Sequence, residues 1–271
     1  MEEQAIRELN GLTKRFYECF GESFSDTRQA PWPGWEHLVG MPEMARLFAQ
    51  DRRIRVLDVG CGNCRFERFL MERFPKARWE FLLVDSAPEP AGTAAKALAE
   101  VAPGTQGRFA EYDLVEGLLA GEPSPFAGAG ADLTVAFGLM HHIPSDALRL
   151  QALETLIAAT RPGGLVAITF WQFLNDPALA AKAHARTAEA APHLAAAGID
   201  PAALESGDCI LGWQDAPFDQ GAMRYCHHFG DNDIDRLVER ATAAVPSARV
   251  IARWRADGRT GALNTYVVIE R

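Results

Sequence analysis

Residues 54–64 read Ile54-Arg55-Val56-Leu57-Asp58-Val59-Gly60-Cys61-Gly62-Asn63-Cys64, an apolar run ending in two closely spaced glycines. The run Ile54 to Val59 predicts a buried strand, and Gly60 and Gly62 let the backbone turn sharply where any Cβ would collide with a ligand. Phe66, Phe69, Leu70 and Phe74 then recur at helical spacing until Pro75 stops the helix. The unit is strand, glycine turn, helix.

Outward from this unit the pattern repeats. A second strand, Trp79 to Val84, ends in Asp85, and the Ala-rich segment Ala91 to Val101 predicts a helix broken by Pro103-Gly104. A short third strand covers about Arg108 to Ala110, and Asp132 to Phe137 supplies a fourth. Ser145 to Thr160 reads as an amphipathic helix, Arg161-Pro162-Gly163-Gly164 as a turn and Leu165 to Trp171 as a fifth strand. Ile234, Leu237, Val238 and Ala241 form a last helical stripe. Asp257-Gly258 then sits between Val250 to Arg255 and Leu263 to Ile269, a hairpin signal. The fold class is α/β, a Rossmann-like sheet that is mostly parallel, with a C-terminal antiparallel hairpin and helices on both faces. That hairpin separates it from a plain dinucleotide-binding fold, whose last strand runs parallel.

The core spans 51–171 and is completed by the helix and hairpin of 231–271. Residues 1–50 and the insertion 172–230 fall outside the β-α series and are expected to form a helical or irregular lid over the substrate. Within the insertion, Pro177 to Leu204 is Ala-rich and helix-prone, with Pro192 expected to interrupt it.

Composition narrows the function. A chain of 271 residues with 48% apolar content buries a large single core. A net charge of −9 gives no overall positive field for a nucleic acid backbone. Five cysteines without framework spacing indicate a reducing compartment. The acidic start Met1-Glu2-Glu3-Gln4 is unlike a secretory signal, and no apolar run reaches membrane-spanning length, so the cytoplasm is expected.

Asp85 ends the second strand at the sheet edge, where its carboxylate can accept from two ribose hydroxyls, with Ser86 beside it; a surface Asp starting a turn is the alternative. Asp113 is placed to accept from an adenine amino group with Leu114 against the ring, or to cap a helix. Cys64 stands where a dinucleotide fingerprint has its third small residue. Phe137, Gly138, Leu139, Met140, His141 and His142 end the fourth strand above the switch point and should border the reacting group. His141 or His142 is a candidate base, or the pair is one packed and one capping residue. Cys61-Gly62-Asn63-Cys64 also matches a C-x-x-C redox motif, but the β-α series runs too long for that fold. Cys209, Cys226, His227 and His228 could add metal ligands, yet with one C-x-x-C pair the spacing fits no metal site, and none is expected.

With these elements the chain resembles the class I S-adenosylmethionine-dependent methyltransferases. The resemblance implies S-adenosylmethionine as cofactor, held by Asp58, Gly60, Cys61, Gly62, Asp85, Ser86, Asp113, Leu114 and Phe137. Four segments resemble more closely the tRNA wobble-uridine carboxymethyl methyltransferase family. They are Phe16-Tyr17 through Thr27-Arg28 to Pro31-Trp32-Pro33; the glycine turn with its acid; Gly138 to Ile143 with Arg161-Pro162-Gly163-Gly164 and Phe170-Trp171; and Trp213 through Arg224-Tyr225-Cys226-His227-His228-Phe229. In the last, Cys226 replaces a Tyr of the family and His228 a Leu. The resemblance implies O-methylation of a carboxylate, tRNA as acceptor and, from the eukaryotic members, a small activator subunit. Arg28 or Arg224 would clamp the carboxylate, and Trp32, Trp171 and Tyr225 would stack on a flat base. A small-metabolite acceptor, or a non-catalytic S-adenosylmethionine-binding protein, are the competing readings.

Overall fold

The computed structural model describes residues 1–49, 52–87, 105–214 and 216–271; the expected Ala91 to Val101 helix lies outside them. Seven strands form the main sheet: β1 (Ile54–Val59), β2 (Trp79–Asp85), β3 (Gln106–Glu111), β4 (Ala131–Ala136), β5 (Thr160–Trp171), β8 (Arg249–Ala256) and β9 (Asn264–Glu270). Their order is β3-β2-β1-β4-β5-β9-β8. β1 to β5 pair in parallel, and β9 runs antiparallel to both β5 and β8. The central strands are buried on both faces, which explains their continuous apolar runs.

Helices α2 (Pro33–Val39), α3 (Pro42–Phe48) and α4 (Arg65–Arg73) cover one face, where Trp35, Leu38, Met44, Phe66 and Phe69 pack on Val56, Leu83 and Leu133. The other face carries α5 (Leu114–Ala120), α6 (Asp146–Ala159) and α8 (Asp231–Ala243), with Leu114, Leu153 and Leu237 against Leu57, Val84 and Val166. α2 docks closely, because a Cβ at Gly34 would lie 2.3 Å from the buried Tyr266 ring.

Several boundaries differ from expectation for physical reasons. β3 is longer than Arg108 to Ala110, since pairing to β2 extends from Gln106 to Glu111 even where the side chains face solvent. The Arg161-Pro162-Gly163-Gly164 turn lies inside β5. Ala131 pairs with Thr160 and Leu133 with Leu165, so the intervening residues form a bulge, with Gly163 at φ 71°. Pro192 does not interrupt the insertion helix: α7 (Pro177–Ala196) runs through it and ends before Leu204. The hairpin forms, but β8 and β9 are joined by residues 257–263 and not by Asp257-Gly258 alone. Asp257 is turned inward, accepting from Gly34 N at 3.0 Å, Asn264 Nδ2 at 2.9 Å and Tyr266 OH at 2.5 Å.

The insertion also holds a two-stranded antiparallel sheet that the pattern does not announce, β6 (Asp208–Leu211) with β7 (Arg224–His227). Residues 1–49 divide in two. α1 (Glu3–Asp26) crosses above the C-terminal edge of the main sheet, packing Leu9 and Leu12 on Leu194, Ile210 and Phe218 of the insertion. α2 and α3 instead build the core under the sheet. No helix among the described residues is long and apolar enough to cross a membrane.

Candidate active site

Strand order reverses between β1 and β4, and a cavity of about 470 Å³ opens beyond their carboxyl ends, the switch point where open α/β sheets take ligands. Its floor is the glycine turn. Gly60 N and Cys61 N donate to Val84 O at 2.7 and 3.2 Å, so the turn is tied to β2. Gly60, Gly62 and Cys64 all have positive φ, and a Cβ added at Gly62 would meet no atom within 4 Å. The turn therefore presents open backbone to the cavity. Gly62 N donates to Asp85 Oδ2 and Ala87 N to Asp85 Oδ1, each at 2.9 Å. Each carboxylate oxygen keeps a further lone pair for a ligand. Burial raises the Asp85 carboxyl, and these backbone donors counter the rise.

Asp113 is a helix-capping residue that also faces the cavity. It caps α5 through Glu116 N at 3.1 Å, accepts from Asn10 Nδ2 at 2.9 Å and Lys14 Nζ at 3.2 Å, and also lines the cavity. Asp58, Gly60, Cys61, Gly62, Ser86, Leu114 and Phe137 line it too. α1 closes this space from above at both ends, since Asn63 Nδ2 of the glycine turn donates to Ser25 Oγ at 2.8 Å.

Beneath the turn Asp58 lies beside Glu67, and neither Glu67 oxygen has a well-formed hydrogen bond. Burial lifts Glu67 to about 7, and burial plus Glu67 holds Asp58 well above the usual carboxylate range. The folded state thus binds a proton that the unfolded chain, with Glu near 4.5, releases earlier. Stability must fall as pH rises from about 4.5 through about 7, by an amount on the order of 3 kcal/mol. In Glu67→Gln the melting temperature is expected to vary much less between pH 5 and pH 8 than in wild type; parallel profiles would refute this assignment.

The far end of the cavity is cationic and aromatic. Arg28 lies over the Phe24 ring at 3.4 Å, and Arg224 lies over Phe24 at 5.0 Å and Phe16 at 4.9 Å. No described acid forms an ion pair with either guanidinium. Arg224 is buried and its Nε lacks a partner. Burial, then Arg224, lowers Arg28 to about 10, so it remains charged at neutral pH. Trp32 and Trp171 border the same space.

The histidines divide as packed and free. His142 contacts Tyr17 OH through Nε2 at 3.1 Å and Tyr225 O through Nδ1 at 2.9 Å, whereas His141 stands against Trp171 with Nδ1 unpartnered. Burial, with Arg224 adding to it, lowers His142 to about 3. Burial and His142 hold His141 well below the usual imidazole range, so both are neutral at pH 7.

Tyr225 does not join the cavity. Strand alternation turns it away from Arg224, and its OH donates to Asp208 Oδ1 at 2.6 Å and accepts from Arg149 at 3.1 Å. The C-x-x-C thiols are not gathered with the other sequence candidates for metal. His227 Nδ1 is 2.7 Å from Asp208, and His228 accepts from Leu174 N at 3.1 Å. Sequence reasoning missed Asn10, Lys14, Tyr17 and Ser25, whose alignment on one face of α1 is visible only at helical spacing, and Asn63 inside the turn.

Residues 57–166 match the family model described as a methyltransferase domain. No curated protein sequence matches the chain. Among solved structures it is similar to an S-adenosylmethionine-dependent methyltransferase from Methanosarcina mazei, with TM-score 0.56 and 16% identity over 84% of this chain and 96% of that one. An O-methyltransferase family protein from Burkholderia thailandensis gives 0.55 and 15% identity over 93% of this chain and 58% of that one. From the same organism, a 1,6-didemethyltoxoflavin-N1-methyltransferase with bound 1,6-didemethyltoxoflavin and S-adenosylhomocysteine gives 0.51 and 16% identity over 95% and 89%. At these identities the likeness is one of fold: the mostly parallel Rossmann-like sheet with its C-terminal antiparallel pair is shared with these methyltransferases.

Proposed function

We propose that the chain is an S-adenosylmethionine-dependent methyltransferase that methylates a carboxylate oxygen of its acceptor. The single observation carrying the acceptor class is the pair Arg28 and Arg224, two guanidiniums against the Phe24 ring with no ion-paired acid among the described residues. An acceptor carboxylate supplies the missing charge and matches the planar fork of arginine.

The residues fit the cofactor. Asp85 would take the ribose hydroxyls, Asp113 and Leu114 the adenine, and Asp58 with the open backbone at Gly60, Cys61 and Gly62 the amino-acid end, while Ser86 and Phe137 complete the walls. When bound, the cofactor supplies an electrophilic methyl group on a sulfonium. A carboxylate is already ionised at neutral pH, so the protein has no proton to remove from it. Its work is to hold the attacking oxygen in line with the methyl group and to exclude water. Arg224 and Arg28 orient the carboxylate, Trp32 and Trp171 flank the acceptor, and His141 borders the transfer path. His142, held by Tyr17 and the Tyr225 carbonyl, is a positioning residue.

On resemblance, a carboxymethylated uridine of tRNA is the first acceptor to test, with a small activator subunit as an added component. A compact carboxylate metabolite is the second reading, favoured by the roof that α1 makes over the cavity and by the net charge of −9. Calorimetric titration with S-adenosylmethionine and S-adenosylhomocysteine tests the cofactor half: saturable micromolar binding of both is expected. Absence of binding to the wild-type chain would overturn it.

A further inference from the structure

Among the described residues the fold brings His141 and His142 together with Cys226, which lies 84 residues beyond His142, a separation that carries no metal-site spacing. His141 and His142 follow β4, and Cys226 lies on β7. One ligand atom from each lies within 4.8 Å of the others, and Cys226 Sγ is 3.8 Å from His142 Nδ1. All three side chains are buried. His141 Nδ1 is enclosed without a hydrogen-bond partner, an unusual state for a buried polar atom.

We infer that His141, His142 and Cys226 form a seat for one borderline-soft divalent cation of the zinc class. Two imidazole nitrogens and a thiolate sulfur suit such an ion and not magnesium or calcium, which take oxygen ligands. Bond lengths of about 2.0–2.1 Å to nitrogen and about 2.3 Å to sulfur put tetrahedral neighbours roughly 3.3–3.6 Å apart. The sulfur–nitrogen pair is close to that separation, and the remaining separations, all within 4.8 Å, must close for an ion to be held.

Coordination through His142 Nδ1 gives up its contact with the Tyr225 carbonyl and leaves Nε2–H to donate to Tyr17 OH, the outer hydrogen bond that metal-bound imidazoles ordinarily make. The Cys226 thiol loses its proton to solvent as the metal–sulfur bond forms. Burial pushes the Cys226 thiol up to about 12 and so opposes the thiolate that a metal needs; Arg224 offsets part of that rise, while its charge opposes the cation itself. The site should therefore bind more weakly than a closed four-ligand site. The two histidines line the cavity, leaving the remaining coordination position on that side.

The test uses the full chain stripped with a chelator and titrated with zinc chloride by calorimetry, and in parallel with cobalt(II) followed by visible absorption. One equivalent of saturable binding is expected, with release of a proton and a thiolate-to-cobalt band. Cys226→Ser and His141→Ala should each weaken zinc at least about tenfold. Cys209→Ser, at the residue facing Cys226 across the β6–β7 pair, should leave affinity unchanged. His141→Ala, at the cavity wall, guards against a Cys226→Ser variant that fails to fold. No saturable binding by the wild-type chain, no thiolate band, or binding undiminished in both variants would overturn the assignment. The readout is metal binding, so it stands apart from the methyl-transfer reading.

Discussion

Asp85→Ala is expected to weaken S-adenosylmethionine binding at least about 100-fold in a calorimetric titration. Two hydrogen bonds from ribose hydroxyls to an ionised acceptor contribute roughly 3 kcal/mol or more together. The same carboxylate holds Gly62 N and Ala87 N at 2.9 Å, so its removal also loosens the glycine turn. Asp85→Asn keeps one acceptor oxygen and should recover part of the loss. A dissociation constant within threefold of wild type in the alanine variant would remove Asp85 from the cofactor site.

Arg224→Met is expected to reduce kcat/KM for the acceptor by about 100-fold or more while leaving cofactor affinity within about twofold. Truncating one partner of a buried, hydrogen-bonded charge pair typically costs about 2–5 kcal/mol of complex stability. The variant should also melt at a higher temperature than wild type. It removes a buried guanidinium that has no acid partner among the described residues and puts an apolar side chain of similar length between Phe16 and Phe24. Loss of turnover with gain of stability distinguishes a binding residue from a structural one. A variant that both melts lower and keeps its activity would show that Arg224 is packing. Arg224→Lys should not restore turnover, because a point charge cannot reproduce the bidentate fork.

The features readable from sequence are local ones. The buried run before Gly60, the acid after the next strand and the His141-His142 pair each lie within one β-α unit, and strand periodicity alone brings them to one sheet edge. Tyr225 shows where this reading fails. It adjoins Arg224, but successive strand residues face opposite ways, and without knowing that β7 is a strand the two could not be told apart. The β6–β7 pair itself depends on contacts with α1 and α7, including Tyr225 N to Thr13 Oγ1 at 3.1 Å and Ile210 N to Thr187 Oγ1 at 3.0 Å. Pro192 misled for a related reason: burial of Ala190 and Leu194 on the insertion core offsets the hydrogen bond that proline forgoes. Asp257 looked like a turn residue, and only the tertiary structure shows its carboxylate holding α2 and β9 together.

The most direct test of the central claim is to incubate the purified chain with methyl-labelled S-adenosylmethionine and, separately, bulk tRNA and an acidic-metabolite extract, and then treat the products with mild alkali. Label entering an acceptor and leaving again as volatile methanol is the predicted result, since a methyl ester hydrolyses under these conditions. Label that enters and resists alkali would show transfer to nitrogen, carbon or an ether oxygen and contradict the carboxylate assignment.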